Sequence, residues 1–573
     1  MDARRRSSVV NVDREDDGVL RVNDEAFRKM SVVNPDIANL HQGAQSATQT
    51  EHEMTIRDAL KLYPKAVMFS VAFSTAVVME GYDLSLTGSF FGFPPFKNRY
   101  GTEPDPENPG ELVIGAAWQS GISNGVQVGS ILGLYLNGYI SDIIGYKKTM
   151  VLSLIVMICF LFIPFFAPNI GVLVAGAVLQ GIPWGIFQTL TVTYASEICP
   201  VALRAYLTTY VNLCWVIGQF IAAGVLRGFL ERDDQWAYRI PYALQWVWPV
   251  AILPFAILAP ESPWWLVRKG REEDAKKSLL ALTKRGTNVP FDVDAQVAMI
   301  RATNELERAM AESTSYLQCF RGIDGRRTEI ASMTWVIQAF CGAALMGYSV
   351  QFYQQAGLPD TDVFNLNLGQ YAMGAVGTIG SWFLMPHVGR RTIYIAGLVV
   401  MLILLLAVGF AGIPERASNG TNKGASWAIG SLLLIYTFVY DFTVGPVCYS
   451  LVAEIPSTRL KIKTVVLARN FYNIGGIINN IIMPRMLLPT EWNWGPFTGF
   501  FWAGVNALLL TWCFFRLPEP KGRTYAELDV LFENRVSARK FAKTKVDQFA
   551  GQHTEIVDDF DEKPKVVQHS FVH

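Results

Sequence analysis

The sequence predicts an all-α membrane protein with twelve transmembrane helices in two six-helix halves, and three observations support this. Hydrophobic residues make up 51% of the 573-residue chain and charged residues only 17%, which is too apolar for an ordinary soluble protein of this length. Twelve apolar segments follow one another along the chain, and most of them are near the roughly 20 residues that span a hydrocarbon core of about 30 Å as a helix. Short motifs from the first half of the chain recur in the second half.

The first apolar segment, residues 66–91, carries two acidic side chains near its middle. Residues three and four apart share a helix face, so Glu80, Asp83 and Thr87 form one polar stripe on an otherwise apolar helix. A carboxylate at mid-membrane costs about 2.5–3.5 kcal/mol when it faces lipid. We therefore expect the stripe to line a water-reachable cavity, to find polar partners or to hold protons. A purely structural role for both acids is the alternative.

Eleven further apolar segments define the domain organisation. They are residues 116–140, 149–167, 171–196, 208–230, 242–259, 329–353, 370–385, 393–413, 427–452, 464–488 and 497–516. Within the long polar stretch between the sixth and seventh segments, residues 271–282 and 296–310 show apolar positions at helical spacing and predict short amphipathic helices. The predicted domains are a disordered cytosolic tail (1–60), an N-terminal bundle (61–260), a cytosolic loop (261–328), a C-terminal bundle (329–517) and a second cytosolic tail (518–573).

Loop charges predict that both termini are cytosolic, because basic residues such as Lys147, Lys148, Arg390 and Arg391 share the side of the tails. The triplet that begins at Asn419 falls on the opposite side, where glycosylation could occur. The seven cysteines show no metal-ligand spacing, so neither a disulfide nor a metal site is predicted. The balance of 49 basic and 49 acidic side chains gives no reason to expect a nucleic acid partner.

Several motifs at the predicted helix ends occur twice, once in each half. The repeated or corresponding residues are Gly138, Asp142, Gly145, Lys147, Glu197, Arg204 and Glu261 in the first half and Arg390, Glu454 and Arg459 in the second. In order and spacing, these motifs resemble those of the sugar-porter branch of the major facilitator superfamily, over roughly residues 60–530. The runs Met79-Glu-Gly-Tyr-Asp83 and Val466-Leu-Ala-Arg-Asn470 are similar to fungal maltose and other α-glucoside:proton symporters.

The resemblance implies the major facilitator fold and proton-coupled uptake of a disaccharide such as maltose. It implies a multi-pass protein of the plasma membrane, acting as a monomer in the lipid bilayer without a cofactor. A sugar sensor on a transporter scaffold and a proton-independent sugar facilitator are the alternatives. An enzyme is not predicted, because the sequence contains no recognisable nucleophile and base set, phosphate loop or metal cluster.

The resemblance also implies roles for individual residues. In the family, the repeated motifs act as cytoplasmic ion-pair latches between helix ends, although Tyr146 replaces a basic residue here and Pro386 an acidic one. A sugar needs amide and hydroxyl partners for its hydroxyls and aromatic faces for its apolar sides. The implied sugar contacts are Gln219, Gln338, Tyr449 and Asn473, with Trp184, Tyr348 and Tyr472 as further aromatic candidates.

Carboxylates are the expected proton carriers, because only one of the six histidines, His387, lies near a predicted membrane segment. Protonation of Glu80 and Asp83 with sugar bound is expected to let the two halves rock between outward and inward openings. Asp441 and Arg469 are the other candidate intramembrane charges. Monosaccharide symporters of the family usually carry an arginine in the fourth helix, where this chain has Ala177, so Arg469 is the candidate replacement. A snorkelling role for Arg469 near a helix end is the alternative.

Overall fold

The structure is a computed structural model that describes residues 20–21, 54–105, 110–284, 291–311, 316–418, 422–457, 460–521, 523, 528, 531–544 and 546–547. The predicted glycosylation residue Asn419 and the predicted latch residue Arg459 lie outside the described residues. Arg204 lies in a described helix, but its side chain is outside the description. Most of both predicted tails is also outside it.

The described residues are mainly helical. The α-helices are α1 (Ile56–Leu62), α2 (Pro64–Ser74), α3 (Ala76–Phe90), α4 (Pro94–Tyr100), α5 (Ala116–Ile144), α6 (Tyr146–Phe160), α7 (Phe162–Phe165), α8 (Ile170–Ile198), α9 (Val201–Phe229), α10 (Trp236–Leu244), α11 (Val247–Leu258), α12 (Pro263–Arg268), α13 (Glu272–Leu282), α14 (Val293–Ala311), α15 (Gly322–Phe340), α16 (Ala344–Gly347), α17 (Ser349–Gln355), α18 (Asp360–Leu384), α19 (Arg390–Ala417), α20 (Lys423–Phe442), α21 (Val444–Glu454), α22 (Lys461–Leu487) and α23 (Thr498–Arg516). Two short strand pairs accompany them: β1 (Leu20–Arg21) is parallel to β4 (Val546–Asp547), and β2 (Glu103–Pro104) is antiparallel to β3 (Leu112–Val113).

Eight helical runs in the described residues are long and apolar enough to cross a membrane. They are Pro64–Phe90, Tyr146–Phe165, Ile170–Ile198, Tyr210–Phe229, Trp236–Leu258, Arg390–Ala417, Lys423–Glu454 and Gly495–Arg516. The long helices α5, α18 and α22 and the segmented run α15–α17 are less apolar, and each of them contributes side chains to the central cavity described below. The eight runs indicate a multi-pass membrane protein.

Two predicted segments differ from the observed helices in an informative way. Helix α18 begins at Asp360, well before the predicted start at residue 370, because its first turn carries Asp360 and Asp362, which suit a helix N-terminus but interrupt the apolar pattern. The predicted segment 427–452 consists of two helices, α20 and α21, separated at Thr443 (φ −125°, ψ −80°). The two amphipathic helices predicted in the central loop are confirmed as α13 and α14.

Glycines set the distance between α3, which carries the acidic residues, and α9. A Cβ atom at Gly81 would lie 2.2 Å from the carbonyl oxygen of Trp215, and one at Gly218 would lie 2.0 Å from that of Val78. Only glycine permits this approach of the two backbones. The approach fixes the rotation of α3 and therefore the directions in which Glu80 and Asp83 point.

The described helices form an N-terminal part (α2–α11) and a C-terminal part (α15–α23), which meet where α5 packs on α22 and α9 packs on α18. At one end of the molecule, hydrogen bonds join the parts: Asn367 Nδ2 donates to Ser89 Oγ (3.3 Å) and Gln354 Nε2 to the Gly92 carbonyl (3.0 Å). The segments next to both termini lie at the other end with the central loop, where the backbone N–H of Lys284 donates to the Leu62 carbonyl at 2.8 Å and Arg326 Nη2 donates to the Val536 carbonyl at 3.0 Å.

Candidate functional site

A cavity of about 1300 Å³, counting its space open to solvent, lies between the two parts. Its polar and aromatic wall residues are Ser85, Thr87, Ser123, Gln127, Asn212, Trp215 and Gln219 from the N-terminal part and Gln338, Tyr348, Tyr371, Thr437, Tyr440, Asp441, Tyr449, Tyr472, Asn479 and Asn480 from the C-terminal part. Amides, hydroxyls and aromatic rings in one wall suit a neutral ligand with many hydroxyl groups.

Five of the seven predicted sugar contacts border this cavity: Gln219, Gln338, Tyr348, Tyr449 and Tyr472. The other two do not. Trp184 is fully buried in the hydrophobic core of the N-terminal part. Asn473 is 1% exposed and is not among the residues that border the cavity.

The wall residues of the C-terminal part support each other. Gln338 Nε2 donates to the carbonyl of Gly445 at 3.2 Å, which ties α15 to the first turn of α21. The ring of Trp335 stands edge-on to Tyr449 and Tyr472, with centroids 4.8 and 5.4 Å away. These contacts leave the amide oxygen of Gln338 available to a ligand and hold the two tyrosine rings in fixed orientations.

Behind the wall, Glu80, Gln188 and Arg469 form a chain of hydrogen bonds across the two parts. Gln188 Nε2 donates to Glu80 Oε1, and Arg469 Nε donates to Gln188 Oε1 at 2.8 Å. The guanidinium of Arg469 also lies 4.4 Å from the ring centroid of Tyr472 and 4.5 Å from that of Trp335. The amide therefore connects a buried carboxylate of the N-terminal part to a buried cation of the C-terminal part, and the cation is further stabilised by aromatic faces.

Asp83 points in a different direction from Glu80. Its Oδ1 accepts a hydrogen bond from Gln245 Nε2 at 2.6 Å, at the junction of α10 and α11. Positions three apart on a helix differ by about 60° in direction, so the two acids contact different neighbours.

The expectation that the acid pair lines a water-reachable cavity is not met in this conformation. Glu80 is 1% and Asp83 3% exposed, and of the predicted stripe only Thr87 borders the cavity. Instead, each carboxylate accepts a hydrogen bond from a glutamine side chain outside its own helix. Sequence reasoning missed these partners, Gln188 and Gln245, although a glutamine inside an apolar segment is itself a signal for a polar neighbour.

The described latch residues lie at the end of the molecule near the termini. Glu261 accepts hydrogen bonds from the backbone N–H groups of Tyr146 (2.9 Å) and Lys147 (3.2 Å), at the start of α6. Glu519 accepts from those of Arg390 (2.8 Å) and Arg391 (3.0 Å), at the start of α19. A carboxylate at a helix N-terminus satisfies free N–H groups and opposes the helix dipole favourably. Burial raises the pKa of Glu261, while its hydrogen bonds from backbone N–H groups act in the opposite direction.

Ion pairs add to these hydrogen bonds at the end of the molecule near the termini. Glu197 pairs with Arg268 at 2.9 Å and accepts a hydrogen bond from the Tyr146 hydroxyl at 3.1 Å. Tyr146 thus contacts an acid from the position where the family usually has a basic residue. In the second half, Arg390 pairs with Glu454 at 3.3 Å.

Sequence reasoning missed one member of this network, Arg268, the partner of Glu197, which gave no motif signal. In the sequence, the repeat of the Pro-Glu pair after the last segment identifies Glu519 as the counterpart of Glu261, although Glu519 was not among the predicted latch residues. Asp142 takes part through Lys269, whose Nζ lies 3.5 Å from Asp142 Oδ1.

Two predicted latch glycines offer a matched test. Gly145 has φ +93°, and a Cβ there would lie 2.3 Å from Glu261 Oε2, whereas a Cβ at Gly138 would meet nothing within 4 Å. We expect Gly145→Ala to lower the free energy of unfolding by about 1–3 kcal/mol. Gly138→Ala, inside helix α5, should leave it unchanged or raise it by up to about 1 kcal/mol. Thermal unfolding of the purified variants in detergent measures both, and equal midpoints would contradict the structural account.

The comparisons with known proteins agree with this architecture. The profile of the family described as "Sugar (and other) transporter" matches residues 67–532. The chain is 41% identical over 528 residues to a general alpha-glucoside permease of Saccharomyces cerevisiae, covering 91% of this chain and 84% of that one. It is 40% identical over 513 residues to the maltose permease MAL61 of S. cerevisiae, covering 89% and 82%.

Solved structures show the fold. The proton:xylose symporter XylE, of the major facilitator superfamily, bound to 6-bromo-6-deoxy-D-glucose aligns with a TM-score of 0.67 at 18% identity, covering 82% of this chain and all of that chain. The inward open conformation of the xylose transporter XylE from E. coli aligns with a TM-score of 0.61 at 19% identity, covering 81% and 99%. The predicted family and the helical fold are confirmed: this chain belongs to the sugar (and other) transporter family and has the fold of the major facilitator superfamily.

Proposed function

We propose that this protein takes up an α-glucoside disaccharide such as maltose across the plasma membrane and that protons drive the uptake. The observation that carries the proposal is the pairing of a cavity walled by amides and aromatic rings with a buried carboxylate, amide and guanidinium behind that wall. The relatives named as alpha-glucoside and maltose permeases support the class of substrate.

We propose that the chain crosses the membrane twelve times. In addition to the eight apolar runs, the spans are α5, α15–α17, α18 and α22, each of which contributes polar residues to the cavity wall. The spans form bundles 61–260 and 329–517, joined by the loop 261–328 and flanked by tails 1–60 and 518–573. The basic loops at the end that carries the termini support a cytosolic position for both tails, in a protein that acts as a monomer.

Transport in this proposal proceeds by alternating access. The hydrogen bonds from Asn367 to Ser89 and from Gln354 to Gly92 close the end away from the termini. With cytosolic termini, this closed end is the extracellular one, and the conformation is inward-facing. These bonds must break when the cavity opens to the outside, so the two bundles rock about the cavity and expose it to one side at a time.

Proton coupling depends on the charge of Glu80. When Glu80 is ionised, Gln188 and Arg469 connect it to the other bundle, and the opposite charges attract across the interface between the bundles. Protonation removes one of these charges and weakens the connection, which shifts the equilibrium between the two openings. Asp83, bound to Gln245 within its own bundle, is the second proposed proton site.

Uptake of labelled maltose by yeast cells that lack their own α-glucoside permeases tests the proposal. We expect addition of maltose to a weakly buffered cell suspension to make the medium more alkaline, because protons enter with the sugar. Unlabelled trehalose, isomaltose and sucrose should compete to different extents. Uptake without a proton flux would indicate a facilitator, and maltose binding without uptake would indicate a sensor; either result would contradict the proposal.

A further inference from the structure

Asp441 is the one charged side chain in the cavity wall, as the described residues form it. It lies in the last turn of α20, two residues before the break at Thr443, and is 5% exposed. No lysine or arginine among the described residues forms an ion pair with it, in contrast to Glu197 and Glu454. No hydrogen bond joins it to Glu80, Gln188 or Arg469. Asp441 is therefore not part of the hydrogen-bonded chain of Glu80, Gln188 and Arg469, and it borders the cavity where a ligand can reach it.

Two glycines leave room for the carboxylate. A Cβ at Gly374 of α18 would lie 2.6 Å from Asp441 Oδ2, and a Cβ at Gly445 of α21 would lie 3.4 Å from Oδ1. Asn212, from the N-terminal part, lies within hydrogen-bonding reach of the carboxylate. A carboxylate has about four acceptor positions, and this amide can occupy only one or two of them. The remaining positions are available to the cavity.

An unpaired carboxylate at this depth requires hydrogen-bond donors, because burial without them is costly. The other polar wall groups are amides and hydroxyls, which both donate and accept. Only Asp441, when ionised, is purely an acceptor. Its two oxygens can receive the hydroxyl hydrogens of two neighbouring carbons of a pyranose ring, and bonds to a charged acceptor are about twice as strong as neutral ones.

We propose that Asp441 is the specificity-determining residue that selects sugars by a pair of adjacent hydroxyl groups. The inference rests on the proposed function and identifies, within that cavity, the group that discriminates one sugar from another. A site built to bond a hydroxyl discriminates strongly against an analogue that lacks it, because the buried acceptor is then left unpaired. The coupling chain around Glu80 is not required for this discrimination.

The test measures inhibition of labelled maltose uptake by each monodeoxy derivative of maltose, in cells that express the full chain. In the wild type, removal of a hydroxyl that donates a hydrogen bond to Asp441 should weaken inhibition by about 10- to 100-fold. This loss of inhibition is the penalty for removing that hydroxyl. In Asp441→Asn, which keeps the shape of the side chain, and in Asp441→Ala, that penalty should fall to within about threefold, while the penalties for the other hydroxyls stay as in the wild type. Gly374→Ala should reduce the same penalty, since its Cβ displaces Oδ2.

Ser426→Ala is the control, because Ser426 lies on the same helix α20, bonds the carbonyl of Asn422 and does not border the cavity. It should keep every wild-type penalty. Maltose uptake with all penalties unchanged in both Asp441 variants would overturn the inference and leave the proposed function standing. Loss of the maltose-dependent proton flux in Asp441→Asn, with unchanged penalties, would overturn it in favour of a coupling role. A wild type that takes up no maltose would overturn the proposed function itself.

Discussion

Glu80→Gln is expected to abolish accumulation of sugar against its gradient while exchange of sugar across the membrane continues. Glutamine keeps the shape of the side chain and a hydrogen bond with Gln188, but it can neither release nor take up a proton. Without a proton step the transporter can only equilibrate the sugar, so the ratio of internal to external sugar should fall to about 1. Accumulation and exchange of labelled maltose in intact cells measure the two properties separately.

Asp83→Asn should also reduce accumulation, because Asp83 is the second proposed proton site. Glu415→Gln is the matched control, since Glu415 is a carboxylate buried to a similar degree, in α19 and away from the cavity wall. It should accumulate sugar like the wild type. Undiminished accumulation in both Glu80→Gln and Asp83→Asn would exclude the proposed coupling sites and favour the facilitator alternative.

Arg469→Gln is expected to destabilise the protein by about 3–5 kcal/mol, because it leaves Glu80 without its compensating cation. It also removes the contacts of the guanidinium with Tyr472 and Trp335. The double variant Glu80→Gln, Arg469→Gln should be more stable than the single arginine variant, since no uncompensated buried charge remains. Thermal unfolding of the purified variants in detergent measures the differences.

Arg485→Gln provides the control for this cycle. Arg485 lies on the same helix α22 and bonds the carbonyl of Ile481 in an exposed position, so its loss should change the free energy of unfolding by about 0.5 kcal/mol or less. If the double variant is no more stable than Arg469→Gln alone, Glu80 and Arg469 are not energetically coupled, and the proposed link between the bundles fails.

Sequence reasoning predicted correctly those features that depend only on the residues of one segment. Apolar segments of sufficient length identified the spans of the strongly apolar helices, and helical spacing identified α13 and α14 in the central loop. Gln219, Gln338 and Tyr449 were identified by their positions in family motifs, and they border the cavity.

Sequence reasoning failed to predict which residues a side chain contacts when those contacts depend on how its helix is rotated against the neighbouring helices. Glu80 and Asp83 share a stripe on an isolated helix, but the close approach of Gly81 and Gly218 turns α3 so that the two acids meet different helices. Asn473 was assigned to the ligand by its match to the family and Trp184 as an aromatic candidate; both are buried, and neither borders the cavity.

The sequence by itself determined that this chain is a helical membrane protein with acidic residues inside an apolar segment, because hydropathy and motif spacing are properties of the chain alone. The tertiary structure decided which partners those acids meet and that, among the described residues, Asp441 alone carries charge at the cavity wall. Contacts between residues hundreds of positions apart depend on helix packing.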